Sequence, residues 1–171
     1  MCIRDSSAPV TVVEFADFKC PYCRIFAREV FPQLRRHIER GQVRFYFLHY
    51  PYLGPDSLTA ALAVEAVYAQ DPDGVWPFMD ALWRHQGPEQ ARWATPELLV
   101  ELARQAVPGL DAERLAQDLQ AGRYRDRVER DVQIALRLGV RGTPAVFVQS
   151  RAVADWSYPS LARAIEAALS G

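Results

Sequence analysis

Two cysteines separated by two residues are the part of this sequence best suited to chemistry. Cys20 and Cys23 enclose Pro21 and Tyr22, between an apolar stretch and a helical pattern. Residues three apart on a helix share one face, and their Cα atoms fall within the range of about 4.4–6.8 Å that a disulfide bridges. The spacing therefore predicts two thiols that can form and break a disulfide with each other.

The position of the motif distinguishes the two sulfurs. Pro21 suits the first turn of a helix, because its missing N–H would have no partner there. Cys20 then lies at or near the N-cap, where unpaired N–H groups and the positive end of the helix dipole favour a thiolate. Only the thiolate attacks a disulfide or leaves readily from one. We expect Cys20 to be the nucleophile and the more buried Cys23 to be the resolving thiol.

A zinc site and a structural disulfide are two other uses of such a pair. Zinc needs two further ligands, but the sequence has no second Cys-x-x-Cys and its histidines, His37, His49 and His85, are isolated. A disulfide that spans two residues closes a very short loop and stabilises little. We expect neither use, and neither a metal nor another cofactor.

The elements around the cysteines form a βαβ unit. Residues 10–16 are β-branched and aromatic, which is typical of a central strand, with Glu14 as the exception. Apolar residues at helical spacing follow as far as Ile38, with an interruption expected at Pro32. A second strand is predicted over residues 43–50. Two strands joined by one helix should be parallel, with a right-handed crossover.

The remainder of the chain is a helical block followed by a β-β-α segment. Residues 56–138 hold the helical patterns, and strand character returns at residues 145–149, with a short partner at 152–153 and a final helix at 161–169. A tight hairpin prefers Asn-Gly or Asp-Gly, so the turn at 149–151 is an unfavourable one. The order β-α-β, helical block, β-β-α predicts an α/β fold. The predicted helices of the block are 56–70, 75–85, 95–107, 111–121 and 123–138.

A second motif, Gly-Val-Arg-Gly-Thr-Pro at residues 139–144, directly precedes the third strand. Proline cannot donate to a strand ladder, so Pro144 marks a bend or a cis peptide there. Together, VEFADFKCPYC and this distant GVRGTP resemble the DsbA-like branch of the thioredoxin superfamily. The resemblance covers about residues 9–169. It implies a thioredoxin-like domain, residues 9–55 and 139–171, with an inserted helical domain at 56–138.

The resemblance also implies roles for individual residues. Thr143 and Pro144 correspond to a cis-proline element that folds against the cysteines, where a substrate segment pairs as an added strand beside Pro21 and Tyr22. Glu14 matches the buried acid of the family, which exchanges a proton with Cys23.

Two residues beside the cysteines bear on the charge of the motif. Many members carry His where this chain has Tyr22, and a tyrosine supplies no positive charge to a thiolate. We expect Lys19, the only lysine in the sequence, to be solvated.

The implied activity is thiol–disulfide exchange on cysteine pairs of protein substrates, most simply as a disulfide-forming oxidase. A substrate thiolate attacks Cys20, and the second substrate thiol resolves the mixed disulfide. A redox partner must then recycle the Cys20–Cys23 pair. The resemblance implies an extracytoplasmic location, periplasmic or in the cell envelope, although no signal peptide is visible.

Several alternatives remain open. The same steps run backwards describe a reductase or an isomerase, but an isomerase normally needs a dimerisation module; none is visible, and we expect a monomer. The motif CPYC also resembles that of glutaredoxins, which are shorter and lack the helical block. A kappa-class glutathione transferase shares the fold outline but typically lacks a Cys-x-x-Cys. A regulatory thioredoxin-like domain attached to a membrane transporter is the alternative outside enzymes.

Composition limits the partners further. Of 171 residues, 50% are hydrophobic and 24% charged, which is ordinary for a globular domain with one substantial core. A net charge of −1 gives no electrostatic reason to expect a nucleic acid or an anionic membrane as partner. Residues 1–8, which include the third cysteine, Cys2, have neither apolar periodicity nor the features of a signal peptide. We expect them to be an assembly scar or a truncated leader.

Overall fold

The computed structural model describes residues 2–3, by their backbone, and residues 7–170. Five strands form one sheet in the order β1-β3-β2-β4-β5, in which β2 and β3 are parallel and the other neighbours are antiparallel. This arrangement confirms the predicted α/β fold, with a helical insertion between β3 and β4. The strands are β1 Cys2–Ile3, β2 Val10–Ala16, β3 Val43–His49, β4 Ala145–Val148 and β5 Arg151–Ala152.

The helices begin and end close to the sequence predictions. The segment after Cys20 has three parts: α1 Pro21–Ile25, a π-helical stretch Phe26–Val30, and α2 Phe31–Glu39. The interruption expected at Pro32 therefore lies just before it, and Pro32 itself occupies the first turn of α2, where its missing N–H costs nothing. The later helices are α3 Pro55–Gln70, α4 Val75–His85, α5 Pro96–Ala106, α6 Ala112–Ala121, α7 Arg125–Arg137 and α8 Tyr158–Ser170.

Strand β2 lies at the centre of the sheet and is covered on both faces. Val10 and Val12 belong to the main apolar core, which also includes residues of α2, of the insertion and of α8. Phe15 points to the opposite face and packs with Ala135 of α7 and with Phe147. Because side chains alternate along a strand, Glu14 lies on the main-core side. A carboxyl group is thus enclosed by the sheet and its helices.

The β4–β5 hairpin differs from the prediction by one residue. Val148 pairs with Arg151, so Gln149 and Ser150 alone form the turn. Both have positive φ, 48° and 67°, as a type I′ turn requires. The sequence lacks the Asn-Gly that normally marks such a turn, and the side chain of Gln149 compensates by bridging Thr11 N and Pro9 O.

Part of the segment predicted to be a scar or leader takes part in the sheet. Cys2 pairs with Tyr46 and Ile3 with Phe45, in antiparallel register, and Ala8 is buried. The origin of residues 1–8 and the division at residues 55 and 139 stay predictions. Within the described part of the chain, the helices lack the combination of length and apolar character needed to cross a bilayer.

Candidate active site

Cys20 occupies the N-cap of α1. Its backbone is extended, with φ −72° and ψ 120°, and Pro21 follows in the first turn. The carbonyl of Cys20 accepts the first helical hydrogen bond, from Arg24 N. Both cysteines are free thiols; Cys20 is 3% exposed and Cys23 is fully buried. The local sequence thus places one sulfur at the helix start and the other a turn inside.

The second predicted motif lies against the first. The Thr143–Pro144 peptide bond is cis, and the Cys20 thiol donates to the carbonyl oxygen of Thr143 at 3.2 Å. The Thr143 hydroxyl is buried and has no hydrogen-bond partner of good geometry within residues 7–170. It is therefore available to turn toward a Cys20 thiolate. Two segments that are far apart in sequence meet at one sulfur atom.

Glu14 is buried beneath the cysteines, with 3% of its surface exposed. It lies opposite Phe47 of β3 and Val146 of β4. Its Oε1 atom has no hydrogen-bond partner among the described residues. Burial, and then the negative charge of Cys20, raise the pKa of this carboxyl well above its usual value. The carboxyl group is thus suited to hold a proton at neutral pH.

The two thiols differ in acidity. The pKa of Cys20 is lowered to about 6, and the largest cause is a hydrogen bond from the Cys23 thiol. The Thr143 side chain and the backbone N–H groups of Cys23 and Tyr22 lower it further, whereas burial acts in the opposite direction. The pKa of Cys23 is raised well above its usual value by burial, by its hydrogen bond to Cys20 and by the charge of Glu14. One site therefore holds an easily ionised sulfur beside a sulfur that keeps its proton.

Lys19 is not solvated, so that prediction is wrong. Its ammonium group is buried and lies 2.8 Å from Oδ1 of Asp56, at the start of α3. The other carboxylate oxygen of Asp56 accepts the backbone N–H groups of Trp93 and Ala94. Because a buried ammonium requires a partner, the charge beside Cys20 serves to attach the active-site loop to the insertion.

Three further residues, which were not predicted from the sequence, position the site. Asp17 accepts the N–H groups of Lys19, Tyr52 and Leu53, and so joins the loop after β2 to the loop after β3. Gln86, at the end of α4, donates to the carbonyls of Phe18 and Cys20. Tyr52 lies near Gly142, beside the cis-proline segment. The position of Asp17 directly after a strand was the one available signal.

Tyr22, a predicted substrate-contacting residue, lies at the edge of this site, as does Tyr52. Tyr22 is 59% exposed, and Tyr52 is 48% exposed. Ile25, one turn further along, is also an exposed apolar side chain. Exposed aromatic side chains therefore lie near Cys20, which itself is 3% exposed.

His49 is not isolated, in contrast to the sequence prediction. Its ligand atoms lie within 4.8 Å of those of Glu65 and Asp131, the group within residues 7–170 that could hold a metal ion. Nε2 of His49 is 3.4 Å from Glu65, and the Arg127 guanidinium donates to the same carboxylate. Burial tends to raise the pKa of Glu65, but His49 and Arg127 outweigh it and lower the pKa to about 2. The cysteines take no part in this cluster.

Comparison with known proteins agrees with this geometry. The thioredoxin family model matches residues 1–167. The chain belongs to the thioredoxin family. Within it, the chain is a DsbA-like thiol–disulfide oxidoreductase, as the two motifs predicted. It is similar to a protein named probable disulfide bond formation protein D of Bacillus anthracis, with 39% identity over 160 residues that cover 93% of this chain and 73% of the relative.

Similarity extends to a solved structure and to a second kind of relative. Oxidised BdbD of Bacillus subtilis superposes with a TM-score of 0.94 at 33% identity, over 99% of this chain and 92% of that one. A Na⁺/H⁺ antiporter NhaA of Herminiimonas arsenicoxydans is 35% identical over 144 residues, which are 84% of this chain and 21% of the antiporter. The thioredoxin-like unit thus also occurs within much longer relatives.

Proposed function

We propose that this oxidoreductase forms disulfides in protein substrates, with Cys20 as the exchanging sulfur and Cys23 as the resolving thiol. The observation that carries the proposal is the position of the two thiols, with Cys20 at the N-cap of α1 and Cys23 fully buried one turn inside. In these positions the pKa of Cys20 is lowered to about 6 and that of Cys23 is raised. A stabilised thiolate favours the reduced form, and a thioredoxin-like centre whose reduced form is stabilised is an oxidant.

The first step is attack of a substrate thiolate on the Cys20 sulfur of the oxidised pair. The Cys20–Cys23 bond breaks, and the bond between Cys20 and the substrate forms. The electron pair leaves on Cys23, which is a poor leaving group as a bare thiolate because of its raised pKa. Glu14 is the proposed proton donor to Cys23 at this step, since its own raised pKa keeps a proton at that depth.

The second step completes the transfer. The second thiolate of the substrate attacks the substrate sulfur that is bonded to Cys20 in the mixed disulfide. A disulfide forms within the substrate, and Cys20 leaves as a thiolate. The low pKa of Cys20 makes it a good leaving group, so this step is fast in the oxidising direction. The substrate has lost two electrons, and the Cys20–Cys23 pair has gained them. A redox partner must remove those electrons before the next cycle.

The proposed docking surface is the cis-proline segment. The carbonyl of Thr143 already points to Cys20, and an extended substrate can pair with the backbone before Pro144 as an added strand. The exposed ring of Tyr22 lies on the cysteine side of this surface. In this arrangement main-chain hydrogen bonds supply affinity, which suits an enzyme that acts on many sequences.

Equilibration of the Cys20–Cys23 pair with glutathione buffers tests the direction of exchange. We expect one two-electron couple between about −120 and −270 mV, and above the thioredoxin value, because the pKa of Cys20, about 6, lies between those of thioredoxin, about 7, and DsbA, about 3.5. A potential at the thioredoxin end would contradict the oxidase and favour a reductase. If neither cysteine exchanges with glutathione, the proposed thiol–disulfide exchange activity is wrong.

Variants separate the roles of the proposed residues. Cys20→Ser should abolish oxidation of a dithiol peptide. In Cys23→Ser, the Cys20 thiolate should attack oxidised glutathione, release one glutathione thiolate and remain as a mixed disulfide, because no resolving thiol is present. Glu14→Gln should slow the first step by about 100-fold, within the range of general acid catalysis, while the second step is unchanged. Full activity of Cys20→Ser, or equal effects of Glu14→Gln on both steps, contradicts the assignments.

We further propose a monomer in an extracytoplasmic compartment, with a redox partner that reoxidises it. Disulfides form and persist in oxidising compartments, which supports the location. After reduction of disulfides in intact cells that make the native protein, a thiol reagent that cannot cross membranes should label Cys20. Labelling only after lysis would contradict the location, and a dimer in analytical ultracentrifugation would contradict the monomer.

A second candidate is a thioredoxin-like domain of a larger membrane protein, which the similarity to the antiporter favours. Immunoblotting of native cells distinguishes the two, because a polypeptide several times longer than this chain is expected only for the second candidate. The redox test above applies to both, since each retains the Cys20–Cys23 pair.

A further inference from the structure

The loop after β3 carries two tyrosines, in the sequence Tyr-Pro-Tyr at residues 50–52, and both hydroxyls reach the cis-proline segment. The Tyr50 hydroxyl donates to the carbonyl oxygen of Val140, 90 residues further along the chain, at 3.4 Å. The Tyr52 hydroxyl oxygen is 3.9 Å from the point where Gly142 would carry a Cβ atom. The centroids of the two rings are 5.3 Å apart. Two side chains of one loop thus contact the segment on which a substrate is proposed to dock.

The backbone of Tyr52 is held in a fixed position relative to the redox motif. Oδ2 of Asp17 accepts the N–H groups of Tyr52 and Leu53, at 2.9 and 3.0 Å. Oδ1 of the same carboxylate accepts the N–H of Lys19, which directly precedes Cys20. Asp17 is buried, so water does not compete for these hydrogen bonds. One carboxylate therefore fixes both the tyrosine loop and the segment that carries the reactive sulfur.

Thr143 interacts with both the Cys20 sulfur and the Tyr52 hydroxyl. Its carbonyl oxygen is 3.2 Å from Sγ of Cys20. Its hydroxyl and its backbone N–H are near enough to the Tyr52 oxygen to interact with it. The buried Oγ1 atom has no hydrogen-bond partner of good geometry within residues 7–170 while Cys20 is a thiol. A buried hydroxyl without a partner costs free energy, which it recovers when a hydrogen bond forms.

Ionisation of Cys20 changes which of these groups donates. The thiol donates to the Thr143 carbonyl, but a thiolate has no hydrogen and can only accept. The Thr143 hydroxyl is one of the groups that lower the pKa of Cys20. A hydroxyl has one hydrogen to donate and two lone pairs that accept, so a Thr143 hydroxyl that donates to Cys20 can still accept from Tyr52. A hydroxyl that accepts one hydrogen bond donates a stronger one.

We propose that Tyr52 is a positioning residue for the reaction: in the reduced protein its hydroxyl donates to the Thr143 hydroxyl, which donates to the Cys20 thiolate. This Tyr52–Thr143–Cys20 relay rests on the proposed role of Cys20 as the exchanging sulfur. Burial, and then the negative charge of Cys20, raise the pKa of the Tyr52 phenol, so Tyr52 keeps its proton and acts as a donor. No proton is transferred. The relay stabilises the thiolate that leaves in the second step.

Alkylation of the reduced whole protein with iodoacetamide at a series of pH values tests the relay. The midpoint of the Cys20 rate, near 6 in the unaltered protein, should move upward by about half a pH unit in Tyr52→Phe. Tyr50→Phe is the matched control, because the Tyr50 hydroxyl bonds the carbonyl of Val140. It should leave the midpoint unchanged. A midpoint that is unchanged in Tyr52→Phe, or shifted equally in both variants, overturns the proposal.

The other ionisable groups near the relay do not obscure that midpoint. Cys23 and Glu14 both lie beneath Cys20 and have raised pKa values, so they stay protonated near pH 6. Asp17 faces the backbone of Tyr52 and is present in the variant and in its control. The change between the two variants therefore reports Cys20.

A double-variant cycle distinguishes a relay from two independent effects. Thr143→Val removes the intermediate hydroxyl and should raise the midpoint by more than Tyr52→Phe does. Addition of Tyr52→Phe to Thr143→Val should change nothing further, since Tyr52 acts only through Thr143. Additive shifts overturn the relay and leave the proposed role of Cys20 intact. If the unaltered protein shows no midpoint near 6, both the relay and that role are wrong.

Two further measurements complete the test. Equilibration with glutathione at pH 8 should give about a threefold higher ratio of oxidised to reduced protein in Tyr52→Phe, the equivalent of half a pKa unit, because the reduced form loses stabilisation. In the unaltered reduced protein, the NMR signal of the Tyr52 ring carbon that bears the hydroxyl should shift with the Cys20 midpoint. It should not shift near pH 6 in the oxidised protein. A Tyr52 signal that ignores the ionisation of Cys20 overturns the relay without any variant.

Discussion

The side-chain amide of Gln86 lies 3.0 Å from the carbonyl oxygen of Cys20. The same nitrogen is 2.7 Å from the carbonyl oxygen of Phe18. Gln86 is the C-cap residue of α4. A residue of the insertion thus holds the backbone at Phe18 and at Cys20, in the loop that leads into the redox motif. The helical insertion thus supports the backbone of the active site directly, in addition to covering the sheet.

Replacement of Gln86 by methionine should destabilise the reduced protein by about 1–3 kcal/mol, because carbonyls of the loop lose a donor inside the protein. Urea unfolding measures the change. Gln105 is the matched control, since its amide bonds only the exposed Glu101. Gln105→Met should change the free energy of unfolding by less than about 0.5 kcal/mol. Equal effects of the two replacements would show that the Gln86 bonds carry no net stability.

Alkylation of the reduced protein should report the acidity of Cys20. The rate with iodoacetamide should rise with pH through a midpoint near 6, where the pKa of Cys20 lies. Cys23→Ala should move that midpoint upward, because the Cys23 thiol is the largest cause of the lowered pKa. A midpoint that stays the same in this variant would assign the effect to the helix start and to Thr143 instead.

The same pKa makes the stability of the reduced form depend on pH. The folded pKa of Cys20, about 6, lies below the ordinary value of 9.0. The resulting stabilisation is present in full above pH 9 and is lost as pH falls through 6. The free energy of unfolding of the reduced protein, relative to the oxidised protein, should therefore rise between pH 6 and pH 9. A flat difference across this window contradicts the lowered pKa.

Glu14 should have the opposite effect on stability. Its folded pKa is raised, so its favourable contribution is present below the ordinary value of 4.5 and is lost as pH rises. Glu14→Gln should increase the free energy of unfolding at pH 8 by on the order of 1 kcal/mol, and by less at pH 4. Thermal unfolding at the two pH values gives the comparison. Destabilisation at pH 8 would mean that the carboxylate has a partner.

The ion pair of Lys19 and Asp56 should be far stronger than a surface pair. Lys19→Met leaves Asp56 buried without its cation and should cost about 3–5 kcal/mol. The exposed pair of Arg104 and Glu101 is the control, and Arg104→Met should cost less than about 1 kcal/mol. Chemical denaturation measures both. A double replacement, Lys19→Met with Asp56→Asn, should recover part of the loss.

The sequence predicted the reactive centre because its determinants are local. A cysteine before Pro21 defines a helix start, and a proline before a strand defines the second motif. The prediction that Lys19 is solvated was wrong because its partner, Asp56, lies 37 residues away in another element. Gln86 could not be identified for the same reason, since its contact with Cys20 spans 66 residues. Local pattern cannot show which distant side chain meets a buried charge or carbonyl.

Two backbone irregularities could not be predicted from the sequence either. The π-helical stretch Phe26–Val30 contains neither glycine nor proline, so residue type gives no indication of it. Gln149 and Ser150 adopt positive φ although both residues disfavour it. In the hairpin, the pairing of β4 with β2 and β5 determines the conformation of the turn, and Gln149 and Ser150 adopt it. Tertiary pairing thus overrides local preference in the hairpin.

The position of β4 in the chain has a consequence for biosynthesis. Strand β2 gains its second neighbour only when Val146 pairs with Glu14, after the whole insertion has been made. Until then a growing chain presents an open strand edge beside Cys20, and such an edge can pair with other polypeptides. A nascent chain therefore offers both a sulfur and a backbone partner to any neighbour, including another copy of itself. Synthesis of the last strands ends that exposure.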